Sequence, residues 1–411
     1  MADPSGAFQR LKGRSFAETR GAVLDLIRSE GEISRTDLAR RSALTEKTIS
    51  GIVKSLIDSG VVVESGYAKS TGGKRPVLLR LNDKELYAVG VTLDIARCII
   101  VLCALDGAEL ARSEIRGTGS EQPTAVLRRI SATLLRLLQR RGIDKEAVVG
   151  VGVALAGRRG IPLGWRVDAA YANLWEPFAT EDELARLTGL TVLRENDANC
   201  AALGEYWTTG SSPTRDFATI YMAHGIGCGI VIGGSIYRGA SGNAGEIGHI
   251  MADPHGALCW CGRYGCLETV ASPRAITKQI LHDPTLRTVC KVTDTMEFGE
   301  IYTRYGQLAR KGIEPVVSLF QTAADHLASA VVNLVNTLDL DLISLAGPGF
   351  AELGEDYRRI IESRLADTAF MHEVHPITVR LGLAGPEAAA LGAASVVLHR
   401  ELTPHRLATP L

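Results

Sequence analysis

A chain of 411 residues, 46% hydrophobic and 22% charged, exceeds one ordinary domain and is apolar enough to bury a sizeable core, which excludes a disordered protein. Its longest mostly apolar run, Ala147–Gly157, is well short of the ~20 residues a membrane span needs, and the first residues lack the apolar centre of a secretory leader. A cytoplasmic protein with reduced thiols and no membrane contact is therefore expected; its net charge of −1 conceals a basic head, with 14 Lys/Arg against 9 Asp/Glu in residues 1–80, on an acidic body with 31 against 37.

In chain order, a flexible arm over residues 1–16 leads into a compact unit over 17–82 whose positive balance suits a polyanion. The stretch Glu18–Gly31 places Val23, Leu26 and Ile27 on one helical face, and Gly31 stops it. Ser34 followed by Asp37 is a capping-box pattern that starts a second helix. A third begins on Thr45 and sets Ile49, Ile52, Val53, Leu56 and Ile57 on one buried stripe. With Thr45, the opposite face offers Lys47, Thr48, Ser50 and Lys54, short polar and basic groups suited to base edges and phosphates. Beyond Gly60, strands at Val61–Ala68 and Val77–Asn82 flank a Gly-Gly-Lys-Arg turn, and its Lys74 and Arg75 can reach a minor groove or phosphate backbone. Three short helices and a basic-tipped hairpin make a winged helix-turn-helix, with the third helix reading operator DNA. Such folds read paired half-sites, so a homodimer or dimer of dimers is expected.

From Leu86 onward, strand-rich runs alternate with helical ones, an α/β pattern. Leu86–Leu110 holds two apolar strands with a turn around Leu93–Arg97, and Phe217–Gly239 repeats the design with a glycine-rich turn. Two such hairpins imply an internal duplication of one lobe, over residues 83–204 and 205–384, with ligands in the cleft between them. Helical text around Glu181–Gly189 and an Ala-rich C-terminal helix, about 385–411, cover the sheets, and the C-terminal helix completes the first lobe.

Three of the eight cysteines, Cys259, Cys261 and Cys266, fall within eight positions. With one histidine they offer a four-ligand set that would close a tetrahedral zinc shell over the loop 249–268 and leave no open position, so a structural Zn²⁺ is expected. The C-x-C spacing is not the C-x-x-C of a redox dithiol. His249, ten residues upstream of Cys259, competes with His255 for the fourth place. Cys98, Cys103, Cys200, Cys228 and Cys290 sit in apolar text and read as core.

Three motifs carry a family resemblance: "ENDANCAALGE" (Glu195–Glu205), "GIGCGIVIGGSIYRGASGNAGEIGHI" (Gly225–Ile250) and "CWCGRYGCLE" (Cys259–Glu268). With them, residues 83–400 resemble the ROK family (repressor, open reading frame, kinase), whose sugar kinases have the actin/hexokinase-like, ribonuclease H-like fold of duplicated lobes. The resemblance implies that His249, and not His255, is the fourth metal ligand. It also implies a sugar shell of Asn196, Asp197, Glu246, His249 and Glu268, with the second ring nitrogen of His249 turned to the sugar. Asn196 and Asp197 lie at a predicted strand end just before a helix, where ligands gather in α/β folds.

In kinases of the family the counterpart of Asp197 is the general base, and the first hairpin turn reads D-x-G-G-T. Here Thr92 replaces the aspartate, Asp94 and Ile95 the glycines, and Ala96 the threonine. An added carboxylate and a β-branched side chain oppose nucleotide phosphates electrostatically and sterically. Ala223-His224 and Ala346-Gly347 depart from the other two nucleotide motifs. The expectation is a ROK-type transcriptional repressor and not an enzyme, with Asp197 a vestigial base and a sugar, amino sugar or sugar phosphate as effector. Arg158 and Arg159, beside Gly157, are candidates for reading a phosphate on that effector. The rival readings are an active ATP-dependent sugar kinase with a DNA-binding head, and a regulator controlled by a sugar-transport protein.

Overall fold

In the computed structural model, residues 16–69, 75–82, 85–157, 175, 178–208 and 216–402 are described. The head consists of α1 (Phe16–Glu30), β1 (Ile33–Ser34), α2 (Arg35–Ser42), α3 (Glu46–Asp58), β2 (Val62–Tyr67) and β3 (Val77–Leu81). Helix α1 starts on Phe16, a residue the sequence assigned to the arm. Ser34 caps α2: its oxygen accepts the Asp37 N–H at 3.1 Å and its hydroxyl donates to the Asp37 carboxylate at 2.7 Å. Thr45 caps α3 by accepting the Thr48 N–H at 3.2 Å. Each cap stabilises its helix by about 1 kcal/mol. Ile49, Ile52, Val53 and Leu56 are buried as the stripe requires, while Ile57 is only half-buried. The strands pair in the order β1-β3-β2. Strand β1 escapes a sequence reading because two residues carry no alternation.

The body contains two sheets of identical design. In the first, β4 (Tyr87–Leu93), β5 (Arg97–Ala104) and β6 (Glu109–Arg116) form an antiparallel meander. Strands β7 (Val148–Leu155) and β8 (Val192–Asn196) then join in parallel, after α4 (Pro123–Arg141) and α5 (Thr180–Thr188). In the second, β9 (Phe217–Met222), β10 (Ile226–Ile232) and β11 (Ser235–Ile236) are antiparallel, and β12 (Leu342–Ala346) and β13 (Thr378–Leu381) join in parallel. The orders β6-β5-β4-β7-β8 and β11-β10-β9-β12-β13 are one topology used twice. This is the actin/hexokinase-like duplication.

Helix α6 (Asp197–Thr208) follows β8, and the second lobe adds α7 (Glu268–Ala271), α8 (Pro273–His282), α9 (Pro284–Val289), α10 (Phe298–Arg310), α11 (Val316–Leu338) and α12 (Gly354–Thr368). The chain closes with α13 (Ala388–Leu402), which lies on β4 and β7 of the first sheet and against α6. The approach is backbone to backbone. A Cβ on Gly152 would stand 1.8 Å from the Ala393 carbonyl, and one on Gly392 1.6 Å from that of Cys200. Core residues of the head, among them Val23, Ile27, Ile52 and Leu79, join Trp207, Ala390, Ala394 and Leu398 of the body in one apolar cluster. Cys98, Cys103, Cys200, Cys228 and Cys290 are buried. Among the described residues no helix is long and apolar enough to cross a membrane. Residues 1–15, Lys74, Arg158 and Arg159 lie outside the described residues.

Candidate functional site

His249 ends a short helical turn, Ile247–His249, directly after Glu246. The following loop folds back through the bridges Met251–Cys266 and Leu258–Tyr264, and the Cys259 N–H donates to the Arg263 carbonyl at 2.7 Å. Gly265 is in the left-handed region with φ 69°, and a Cβ there would meet the Asp253 carbonyl at 1.6 Å. The loop brings His249, Cys259, Cys261 and Cys266 together, their ligand atoms all within 4.8 Å of one another. These four residues can hold a metal ion. His255 is exposed, donates its N–H to Asp253 at 2.9 Å and stands outside the group. The competition left open by spacing thus falls to His249.

His249 turns Nδ1 to the thiols, 3.7 Å from Cys259 Sγ, and Nε2 toward Glu246, 4.0 Å from Oε2. The edge-to-face ring of Trp260, 4.6 Å away between centroids, holds it. Glu268 opens α7 and accepts the Ile226 N–H at 2.9 Å. Its carboxylate fits because positions 225 and 248 are glycine: a Cβ at either would stand within 3.0 Å of a Glu268 oxygen. Burial pushes Glu268 up to about 7.

Asn196 ends β8, and its side-chain oxygen accepts the N–H groups of Ala198 at 2.9 Å and Asn199 at 3.2 Å, capping α6. Its amide nitrogen donates to the Gly157 carbonyl at 3.5 Å, and both residues line a cleft. Asp197 is the first residue of α6. Burial pushes its carboxyl up to about 6 against the Ala198 N–H, and the charges of Asp94 and Glu246 push the same way. The charge of Glu246 acts on both Asp197 and Glu268, and its carboxylate lies 4.0 Å from His249. Of the five predicted residues, Asn196 and Glu246 line the adjoining cleft, together with Gly157, Arg194 and Asn243.

Sequence reasoning missed the Glu195–Arg238 ion pair. Arg238, just beyond β11, reaches Glu195 of β8 at 2.7 Å, with side chains only 15% and 2% exposed. The other Glu195 oxygen accepts the Asn196 N–H at 2.9 Å and the Asn199 amide at 3.2 Å. Glu195 belongs to the "ENDAN" motif, but nothing in the sequence links it to a residue 43 positions away.

Facing turns of the two lobes also meet. Asp94, between β4 and β5, lies 3.3 Å from His224 Nδ1, between β9 and β10. Burial opposes ionisation of Asp94, but the His224 ring and the N–H groups of Ala96 and Arg97 outweigh it and hold the carboxyl below its usual range. The His224 ring stacks on Phe298, with centroids 4.4 Å apart. Thr92 is buried and accepts the Ile99 N–H at 2.9 Å, and Ile95 is exposed.

On the head, Lys47, Thr48, Ser50, Lys54 and Arg75 are exposed. Thr45 is exposed too, but its oxygen is engaged in capping α3. Arg35, Arg40 and Arg41 are paired with Glu64, Asp37 and Glu30.

A ROK family model matches residues 89–400, and a winged helix-turn-helix DNA-binding model matches residues 16–63. The chain is 27% identical over 380 residues to the xylose repressor of Caldicellulosiruptor bescii, spanning 92% of this chain and 94% of that protein. It is 28% identical over 342 residues to the DNA-binding transcriptional dual regulator NagC of Escherichia coli, spanning 79% of each. A solved ROK family transcriptional regulator, a homologue of the E. coli MLC protein, superposes with a TM-score of 0.72 at 25% identity, over 95% of this chain and 98% of that one. A ROK family glucokinase from Streptomyces griseus, in complex with glucose and AMPPNP, gives 0.59 at 25% identity, over 75% and 98%. The chain belongs to the ROK family and is one of its transcriptional regulators, a winged helix-turn-helix head joined to a ROK body.

Proposed function

We propose that this regulator is a cytoplasmic repressor whose operator affinity is set by a sugar, amino sugar or sugar phosphate held by Asn196, Asp197, Glu246, His249 and Glu268. Lys47, Thr48, Ser50 and Lys54 face the operator, with Lys74 and Arg75 at the wing, and paired heads in a homodimer or dimer of dimers read its half-sites. The observation that carries the reading is the contrast between the two halves of the cleft. On one side the carboxylates of Asp197, Glu246 and Glu268, acceptors suited to hydroxyls, act on one another, while at the facing turns the Asp94–His224 pair stands where a kinase cradles phosphates. A carboxylate there repels ATP, so Asp197 accepts a hydroxyl and performs no proton transfer.

His249, Cys259, Cys261 and Cys266 would hold structural zinc. A tetrahedral Zn²⁺ shell has S···S and S···N edges of about 3.8 and 3.6 Å. The Cys261–Cys266 and Cys259–His249 separations of 3.6 and 3.7 Å fit it. The metal would organise the loop that carries Glu268 and fix the His249 ring against the cleft.

The test is a mobility shift with the DNA upstream of the protein's own coding sequence. It is titrated with D-xylose, D-glucose, N-acetylglucosamine and N-acetylglucosamine 6-phosphate, beside a coupled ATP-consumption assay on the same compounds. A shift altered by at least one compound, with no ATP consumed, is expected. Turnover that disappears in Asp197→Asn would establish a kinase instead.

A further inference from the structure

Helix α6 keeps different company at its two ends. Its N-terminus is the Asn196–Asp197 corner of the cleft. Nine and ten residues beyond Asp197, about 14–15 Å along the axis, Tyr206 and Trp207 meet the DNA-binding head. The Tyr206 hydroxyl donates to Asp25 at 2.9 Å, and Arg28 donates to the Trp207 carbonyl at 3.2 Å. The Arg28 guanidinium also covers both rings, 5.2 Å from the centroid of Tyr206 and 4.7 Å from that of Trp207, and pairs with Asp25 at 3.3 Å. The Arg28 and Asp25 side chains are only 5% and 13% exposed.

A charge pair is a poor adhesive in such a place. Taking two ions out of water costs nearly what their attraction returns, and apolar side chains of similar size would hold α1 to α6 as well or better. What ions and aimed hydrogen bonds add is dependence on geometry: a small displacement of one helix end breaks them, whereas a greasy contact slides. The middle of α6 is suited to carry a displacement whole. Ala198, Ala201 and Ala202 present small faces, and Gly204 lies so close to α13 that a Cβ would stand 2.7 Å from the Ala388 carbonyl. Glu205, fully buried, accepts the Leu383 and Ala384 N–H groups at 3.1 and 2.9 Å, tying the same helix to the second lobe. Packed helices of this kind shift as rigid bodies between discrete arrangements.

We infer that α6 transmits occupancy of the cleft to the DNA-binding head, and that Asp25, Arg28, Tyr206 and Trp207 are the positioning residues at which it does so. The inference rests on the effector reading proposed above. Linkage then requires that whatever binds at Asp197 changes operator affinity through this junction, and that operator DNA changes the Asp197 end in return.

The full chain and two variants, Tyr206→Phe and Arg28→Gln, are compared with the upstream duplex and the four compounds named above. In the unaltered protein the active compound changes operator affinity by about 5- to 150-fold, the usual size of such coupling. In the variants calorimetry finds the same compound bound within about 2-fold, while its effect on operator affinity shrinks at least 3-fold. An undiminished effect in both variants overturns the inference. A purely structural junction would lower the melting temperature or weaken DNA binding with and without the compound alike, and that result overturns it too. If no compound binds the unaltered protein, the effector reading fails separately, and hydrogen exchange still decides the junction. Adding the duplex must alter amide protection over Asp197–Ala202 in the unaltered protein and not in Tyr206→Phe; equal responses sink the proposal.

Discussion

Asp197→Asn should make the protein more stable while weakening its hold on the effector. An ordinary aspartate titrates near 3.8, whereas burial moves Asp197 up to about 6. A carboxyl raised in the folded state binds its proton more tightly there than in the unfolded chain. The contribution of Asp197 to stability is therefore greatest below about pH 4, falls as pH rises to about 6, and stays reduced at pH 7. A rise of about two pH units corresponds to about 3 kcal/mol at neutral pH. Asparagine keeps the shape and an oxygen for the Ala198 N–H but carries no charge, so it escapes that cost. Urea denaturation followed by circular dichroism, at intervals from pH 4 to 7, measures this directly. The variant should gain on the unaltered protein steadily over that range, reaching a few kcal/mol, and match it near pH 4. A constant difference across the range would refute the reasoning, because no ionisation would then be responsible.

Arg238→Met strands Glu195 without its cation in a buried site and should cost about 3–5 kcal/mol, read as a lower urea midpoint; a loss below about 1 kcal/mol would mean that the ion pair is immaterial. Adding Glu195→Gln to it should recover part of the loss. Lys74→Ala with Arg75→Ala should weaken operator binding and reduce the slope of log affinity against log salt by about 2; an unchanged slope removes the wing from the DNA contact. Cys261→Ser should lower bound zinc from one per chain, measured by elemental analysis, and abolish the response to effector while operator binding persists. A variant that still responds would dissociate the metal from sensing.

Much of the architecture was legible because it rests on local patterns. The α3 stripe, the Ser34 cap and the repeated hairpin each lie within a few residues, and both hairpins open sheets of the same strand order. Strand β1 was invisible because its two residues are strand only through their pairing with β3. The cysteine spacing announced a metal cluster but could not choose between His249 and His255, since that depends on how the loop folds back. The Glu195–Arg238 and Asp94–His224 pairs were beyond reach for the same reason: each joins residues far apart in the chain, and neither partner alone differs from a solvated surface charge. Asn196 was legible only as a candidate for the site and not as a cap, a role that engages its side-chain oxygen with the Ala198 and Asn199 N–H groups.

The position of α13 bears on the order in which the molecule is made. Its backbone presses on β4 and β7 at Gly90 and Gly152, and its Ala390, Ala394 and Leu398 share a core with the head. Strands β4 and β7 thus wait for a helix far later in the chain before their sheet is covered. On the ribosome the head can form its own helices early, but it has no completed surface to rest on until Ala388–Leu402 has emerged. An unfinished chain can therefore carry a folded DNA reader with no fixed bearing. Only the docking of α13 turns that reader into a part that the body can aim.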